Sequence, residues 1–274
     1  MTRTRRKTGI RRGRPKQQSP IEAFHSNLAD AELLLKLAAG FTNVRQKRLR
    51  AEMREKLGQA LRVGKGRWAT LDGIQSRSVF VVLLDPEHLS RRELTDQGPL
   101  LRAVVVAACA AFETYVADIA KRELSRLLKA KTPDNLPRRL RDVPITVGDW
   151  VAIEEHYERR VWGLRARLEY WLEREASTSP LKVGQVLSAV GFDNWSAIVD
   201  RHRGVEKGTT VRELTEVSER RNRIAHSLDR KGALTVAQVT LMLFSIRSIA
   251  DALDVLRRGD SQATASSTRG TRSE

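Results

Sequence analysis

The chain has 274 residues, of which 41% are hydrophobic and 30% are charged, a balance typical of a soluble globular protein. No apolar run approaches about 18 residues, which argues against a membrane span, and no apolar segment follows the basic N-terminus as in a secretory signal. The single cysteine, Cys109, excludes an internal disulfide and any zinc site built from several cysteines. The sequence has no zinc-ligand cluster and no nucleotide-binding glycine loop, so we expect no metal or cofactor. Since neither a membrane span nor a secretory signal is indicated, we expect a cytoplasmic protein.

Much of the net charge of +17 lies at the N-terminus. Residues 1–19 contain eight Lys or Arg residues and no acid, and the rest of the chain keeps a charge of +9. This tail has nothing to bury, so we expect it to be disordered. Within it, Arg12-Gly13-Arg14-Pro15 resembles the core of an AT-hook, a peptide that lies in narrow AT-rich minor grooves. The alternative is a generic basic arm, and in both cases Arg12 and Arg14 are candidate contacts to DNA or RNA.

Residues 20–94 are predicted to form an N-terminal helical extension. An amphipathic pattern predicts a first helix over residues 21–39. A second helix is predicted over residues 43–62, and it is rich in basic residues that include Arg45 and Arg48. Such a charge run is either a solvated face or a surface that follows a phosphate backbone.

The longest predicted helix covers residues 100–130, and its apolar face is broad enough for the centre of a bundle. A further helix is predicted to start at Thr146, with Asp149 three residues later, and to continue through Trp171. Its tryptophans lie at different helical phases, so we expect them in the core or at a dimer surface rather than as base-stacking platforms. These tryptophans are Trp150, Trp162 and Trp171.

Shorter helical segments are predicted at residues 180–190 and near Trp195, and a last helix at residues 236–256. The core of the fold is therefore assigned to residues 95–257. Residues 258–274 have no apolar face, so we expect a disordered C-terminal tail. The pattern as a whole predicts an all-α protein.

Residues 210–228 form an amphipathic helix whose apolar stripe contains a basic residue. Thr210 and Glu213 have the spacing of a capping box at its start. The spacing of the apolar residues predicts that residue 221 is buried, but this residue is an arginine. Burying its charge costs free energy unless an anion or a partner binds it. Asn222 and His226 lie one turn apart on a neighbouring face. The apolar residues of the stripe are Leu214, Val217, Ile224 and Leu228.

The run Arg221-Asn222-Arg223-Ile224-Ala225-His226 resembles the Arg-polar-x-x-x-His motif of the HEPN superfamily (higher eukaryote and prokaryote nucleotide-binding domain). The segment from Leu100 to Tyr115 is similar to the long core helix of its RiboL-PSP-HEPN branch. The resemblance implies an up-and-down bundle of four to five helices. It also implies a homodimer in which two motifs meet in one cleft, with the N-terminal helices as the branch's own extension.

Active members of the superfamily resemble metal-independent endoribonucleases, and the resemblance assigns roles to the motif residues. Arg221 is expected to bind the scissile phosphate, and His226 to transfer protons at the 2′-hydroxyl or the leaving 5′-oxygen. Asn222 is expected to orient His226 or to hold the phosphate. Arg223 could add phosphate affinity, and Glu113 could approach the cleft from the core helix or simply be a satisfied or exposed carboxylate.

The leading functional hypothesis is a HEPN ribonuclease acting on RNA as a stress or phage-defence toxin, with an antitoxin as a further partner. A second hypothesis is a non-catalytic nucleic-acid-binding protein that uses the basic tail and the second helix. A third is a helical oligomerisation or adaptor module in which Arg221 meets an acidic partner. The intact motif favours the first hypothesis, whereas the basic tail favours the second.

Overall fold

A computed structural model describes residues 18–43, 55, 58–59, 62–67, 97–129, 136–226 and 234–267. Over these ranges the regular secondary structure is helical, which confirms the predicted all-α class. Four candidate nucleic-acid-binding residues lie outside the described residues: Arg12 and Arg14 of the tail, and Arg45 and Arg48 of the predicted second helix. The helices are α1 (Pro20–Asn43), α2 (Gly98–Leu127), α3 (Arg138–Arg141), α4 (Val147–His156), α5 (Arg160–Glu175), α6 (Pro180–Ala189), α7 (Trp195–Arg203), α8 (Thr209–Ala225) and α9 (Val236–Ser267).

Helix α2 is the centre of the bundle and packs against α1, α5, α6, α8 and α9. By length and composition α2 could cross a bilayer, so the expectation that no stretch is long and apolar enough for this was too strict. However, 56% of its most apolar window is buried inside the protein, as in the core helix of a helical bundle. The predicted inward residues are all buried: Leu101, Val104, Val105, Ala108, Phe112, Tyr115, Val116 and Ile119.

Helix α1 belongs to the same core as the rest of the bundle. Phe24 and Leu28 are fully buried in the cluster that also contains the inward face of α2. The start of α1 is held by a capping box, in which Ser19 and Glu22 each accept a hydrogen bond from the other's backbone N–H. Residues 18 and 19 are thus part of the ordered start of α1, although they were assigned to the tail. The predicted boundary at residues 94 and 95 does not separate two cores.

The single helix predicted from Thr146 to Trp171 is in fact two helices, α4 and α5. The predicted start is confirmed, since Thr146 and Asp149 form a capping box. The chain then turns back after His156 because Ile153 packs directly on Gly163 of α5. A Cβ atom at Gly163 would lie 2.7 Å from Ile153 Cγ2, so only glycine permits this close approach of the two helices.

Two predicted helix ends were also wrong. The motif helix α8 ends at Ala225 with His226 as its C-cap, and Leu228 lies outside the described residues. The last helix, α9, extends to Ser267 rather than to residue 256, so residues 258–267 are helical and not part of a disordered tail as predicted. Residues 257–267 contain no proline, and the buried helix before them supplies the nucleus from which helical hydrogen bonding can propagate.

The start of α8 is stabilised by α7, and the predicted capping box of Thr210 and Glu213 does not form. The carboxylate of Asp200 accepts hydrogen bonds from the backbone N–H groups of Gly208, at 2.6 Å, and Thr210, at 2.8 Å. The side chains of Thr210 and Glu213 instead accept hydrogen bonds from the buried Arg203, which also donates to Ser248 of α9. This network fixes the direction in which α8 leaves α7.

Replacing Asp200 with alanine is expected to destabilise the protein by about 1.5–3 kcal/mol at pH 7, because two N–H groups lose a charged acceptor. Burial alone raises the pKa of Asp200, but its hydrogen bonds with Thr210 and Gly208 together outweigh burial and hold the pKa below its ordinary value. The stabilisation is therefore complete above about pH 4 and is lost as the pH falls through the lowered pKa of the folded state. Urea unfolding at a series of pH values measures this difference.

The exposed Asp193, for which the structure shows no hydrogen bond or ion pair, provides the matched control. Asp193→Ala should leave the free energy of unfolding within about 0.5 kcal/mol of the wild-type value. An Asp200→Ala protein as stable as the wild type at pH 7 would contradict this account of the α7–α8 joint.

Candidate functional site

Arg221 continues the buried stripe of α8, as the sequence predicts. Leu214 and Val217 of the same stripe are buried, and Arg221, one turn further on, is half-buried. Its guanidinium donates a hydrogen bond from Nη1 to Asn222 Oδ1 at 3.3 Å. Among the described residues, none of the ion pairs between side chains includes Arg221. The hydrogen-bonding partner of the half-buried Arg221 guanidinium is thus an amide and not a carboxylate.

The other motif residues surround the last turn of α8. Asn222 is exposed. Its backbone carbonyl oxygen accepts a hydrogen bond from the backbone N–H of His226 at 3.0 Å, and this hydrogen bond lies at the C-terminal end of the helix. The His226 side chain is exposed at the C-cap. No side-chain hydrogen bond joins Asn222 to His226, so Asn222 contacts Arg221 rather than the imidazole. Arg223 is exposed about 200° round the helix from Arg221, on the face opposite the core.

Glu113, on the central helix α2, and Arg221 both influence the buried thiol of Cys109. Burial raises the pKa of the Cys109 thiol to about 12, and the charge of Glu113 adds to the rise. A hydrogen bond with Thr178 and the charge of Arg221 lower the pKa of the same thiol. Glu113 Oε1 also accepts a hydrogen bond from the backbone N–H of Thr178 at 3.2 Å. Glu113 and Arg221 therefore change the pKa of one buried thiol in opposite directions, and among the described residues they form no ion pair with each other.

Thr178 is a residue of this neighbourhood that the sequence did not indicate. It is only 1% exposed, in the short loop between α5 and α6, and it contacts both Cys109 and Glu113. Nothing in its local pattern distinguishes it from other Ser and Thr residues of the Ser177-Thr178-Ser179 run. Its role depends on packing against α2, which lies more than 60 residues earlier in the chain.

A shallow groove of about 330 Å³ lies between α2 and the end of α5. Lys121, one of its lining residues, is ion paired with Asp118 and Glu173. The lining also includes Ala110, Glu113, Thr114 and Ala117 of α2 and, on the other side, Ala176.

The arrangement combines a cation able to bind an anion in a bidentate manner, an amide that is hydrogen bonded to this cation, and an exposed imidazole able to exchange protons. Among the described residues, no group of three or more His, Cys, Asp or Glu side chains could hold a metal ion. These groups suit a reaction in which a negatively charged substrate undergoes proton transfer.

A family model described as RiboL-PSP-HEPN matches residues 80–256, which is more than half of the chain. The chain belongs to the RiboL-PSP-HEPN family. The match confirms the family resemblance noted in the sequence, and it spans α2 to α8 and most of α9. No curated protein and no solved structure shows a significant match to the chain.

For this HEPN protein, membership indicates an RNase or another nucleic-acid-related role. The helical bundle expected of the family is the fold described above. Its motif residues Arg221, Asn222 and His226 lie inside the matched range, at the end of one helix that packs on the central helix α2.

Proposed function

We propose that this HEPN protein is a metal-independent endoribonuclease whose reacting groups are Arg221, Asn222 and His226. The observation that carries the proposal is the half-buried Arg221, which has no carboxylate partner among the described residues. Partial desolvation of an uncompensated guanidinium costs free energy, and a bound phosphate would offset that cost. The exposed His226, five residues further on at the C-cap of the same helix, supplies a proton-transfer group.

In the proposed reaction, the 2′-hydroxyl of the RNA attacks the adjacent phosphorus atom. A bond forms between phosphorus and O2′ while the bond to the leaving O5′ breaks, which yields a 2′,3′-cyclic phosphate and a free 5′-hydroxyl. His226 accepts the proton of the 2′-hydroxyl or donates a proton to O5′. Arg221 stabilises the additional negative charge on the phosphate, and Asn222 positions the guanidinium through its hydrogen bond. DNA lacks the nucleophile and is not cleaved.

We further propose that the active form is a two-fold homodimer in which two motif helices meet. An isologous contact would place one copy's Arg221 and His226 near the same residues of the second copy. Light scattering is expected to give the mass of two chains. A monomer that cleaves RNA at full rate would remove the composite site but not the endoribonuclease.

A defence or stress toxin held off by an antitoxin is the biological role that we propose for such an activity in the cytoplasm. The alternative of a non-catalytic nucleic-acid-binding protein is supported by the eight basic residues of the N-terminal tail. An adaptor that uses Arg221 to meet an acidic partner remains the third candidate.

Incubating the purified protein with single-stranded RNA in the presence of EDTA separates these candidates. We expect cleavage products that end in a 2′,3′-cyclic phosphate, and no cleavage of DNA of the same sequence. RNA that is bound but remains intact would support the binding protein, and RNA that is neither bound nor cut would support the adaptor.

A further inference from the structure

Two aromatic side chains of α5 are exposed to an unusual degree. Trp162 is 52% exposed and Tyr170 is 50% exposed, although rings of this size usually contribute to the core. The sequence placed Trp162 in the core or at a dimer surface, and the structure places it outside the core. Trp171, by contrast, packs against the core as expected.

Each exposed ring has an arginine three residues before it. The guanidinium carbon of Arg159 lies 5.0 Å from the centre of the Trp162 ring, and that of Arg167 lies 5.3 Å from the centre of the Tyr170 ring. The same pair of residue types therefore recurs after eight residues along one helix. Aromatic rings beside guanidinium groups are the surface on which unstacked bases of single-stranded RNA pack.

The charge of this part of α5 also suits a polyanion. Residues 159–168 contain four arginines and no acidic residue. Arg159 is paired with none of the described carboxylates, so its charge is open to a phosphate. The other three arginines are ion paired: Arg160 with Glu154, Arg165 with Glu169 and Arg167 with Asp149.

The exposed face of α5 is continuous with the groove between α2 and α5. Trp162, Ala166, Tyr170 and Glu173 follow one another at helical spacings of four, four and three residues, so they share a face. Glu173 lines the groove between α2 and α5. Both α5 and the motif helix α8 pack on α2, so the two proposed RNA contacts lie on neighbouring elements of the bundle.

We infer that the Trp162–Tyr170 face of α5 binds the single-stranded RNA that flanks the cleaved phosphate, by stacking bases on these two rings. The inference rests on the proposed RNA substrate and extends it from the motif to a second contact surface. Stacking is tolerant of sequence, so this surface increases affinity for long unpaired RNA without selecting a base.

The test uses the His226→Ala protein, which keeps the RNA intact, and a fluorescently labelled 16-residue oligouridine. Adding Trp162→Ala or Tyr170→Ala is expected to weaken binding of the 16-mer roughly 5- to 100-fold, while the affinity for a uridine dinucleotide stays unchanged. Trp162→Phe keeps a stacking ring and should restore most of the affinity.

Trp150→Ala is the matched control. Trp150 is also half-exposed, and the guanidinium carbon of Arg160 lies 5.8 Å from its ring centre. However, it lies on α4, which carries three acidic residues and no Lys or Arg, so α4 should repel RNA. We expect Trp150→Ala to bind the 16-mer like the parent protein.

Equal binding by the Trp162→Ala and parent proteins would overturn the inference, as would failure of the parent to bind the 16-mer. A Trp162→Ala protein whose scattering mass falls while RNA affinity is unchanged would also overturn it and would mark a protein contact. If the wild type cuts RNA but binding does not depend on Trp162, only this surface is refuted. If binding depends on Trp162 but no RNA is cut, only the endoribonuclease is refuted.

Discussion

His226→Ala is expected to reduce the rate of RNA cleavage by roughly 10²–10⁴-fold, because the reaction loses its proton-transfer group. Arg221→Ala is expected to reduce it by about 10²–10³-fold, through loss of electrostatic stabilisation of the phosphate. Arg221→Lys should recover only part of this loss, since a lysine ammonium cannot bind two phosphate oxygens as a planar fork does. Single-turnover cleavage of a labelled RNA in EDTA measures these rates.

The chain offers close controls for both substitutions. Arg212 lies on the exposed face of the same helix, near its start, and His202 is an exposed histidine at the end of α7. Arg212→Ala and His202→Ala should cleave RNA at the wild-type rate. Arg221→Ala should fold normally or gain stability, because it removes a cation from an apolar stripe. Rapid cleavage by the Arg221→Ala, His226→Ala double variant, or cleavage that requires added magnesium, would refute the assignment.

Removing residues 1–17 is expected to weaken nucleic-acid binding and to flatten its dependence on salt. All eight basic residues of the tail lie in this segment, so up to eight phosphate contacts are lost. For single-stranded RNA, the slope of log affinity against log salt should then fall by up to about 6. The deletion stops before Gln18 because its carbonyl oxygen accepts a hydrogen bond from Arg122, and Ser19 caps α1.

Removal of residues 268–274 is the comparison truncation. It removes only two basic residues, so the salt slope should fall by no more than about 1.4. Both truncated proteins should unfold at the wild-type temperature. An AT-rich duplex that competes better than a random duplex for the wild-type tail would identify an AT-hook, whereas equal competition would identify a simple basic arm. An unchanged affinity and salt slope after deletion of residues 1–17 would show that the tail is not a nucleic-acid arm.

Long amphipathic patterns allowed the bundle to be predicted from sequence. The inward residues of α2 and α9 recur at helical spacing over many turns, and such a pattern is compatible with few alternatives. In α9, for example, Val239 and Ile249 are fully buried. Local capping signals succeeded where the partners lie within one turn, as for Thr146 and Asp149.

The joints between helices could not be predicted in this way because their partners come from elsewhere in the chain. Thr210 and Glu213 have capping-box spacing, but the buried Arg203 recruits both, and Asp200 takes over the cap. The turn between α4 and α5 depends on contact between Ile153 and Gly163, which no local pattern reveals.

The candidate site likewise combines residues that a local sequence pattern indicates with residues that only the folded structure brings together. Arg221, Asn222 and His226 lie within six consecutive residues, so a motif and a break in an apolar stripe indicate them as candidates from the sequence alone. Thr178 becomes part of the site only through folding. The repeated arginine–aromatic spacing of α5 was present in the sequence, but the exposure of its rings follows from how α5 packs on the bundle.

The position of Cys109 makes the site observable by a simple chemical reaction. It is the chain's single cysteine, it is 1% exposed, and the charge of Arg221 reaches its sulfur. A thiol-labelling reagent can therefore modify the native protein only when the core around Cys109 opens, so the labelling rate reports how often this opening occurs. RNA bound at Arg221 would slow this labelling without touching the cysteine, which would allow substrate occupancy to be measured by mass spectrometry of the intact chain.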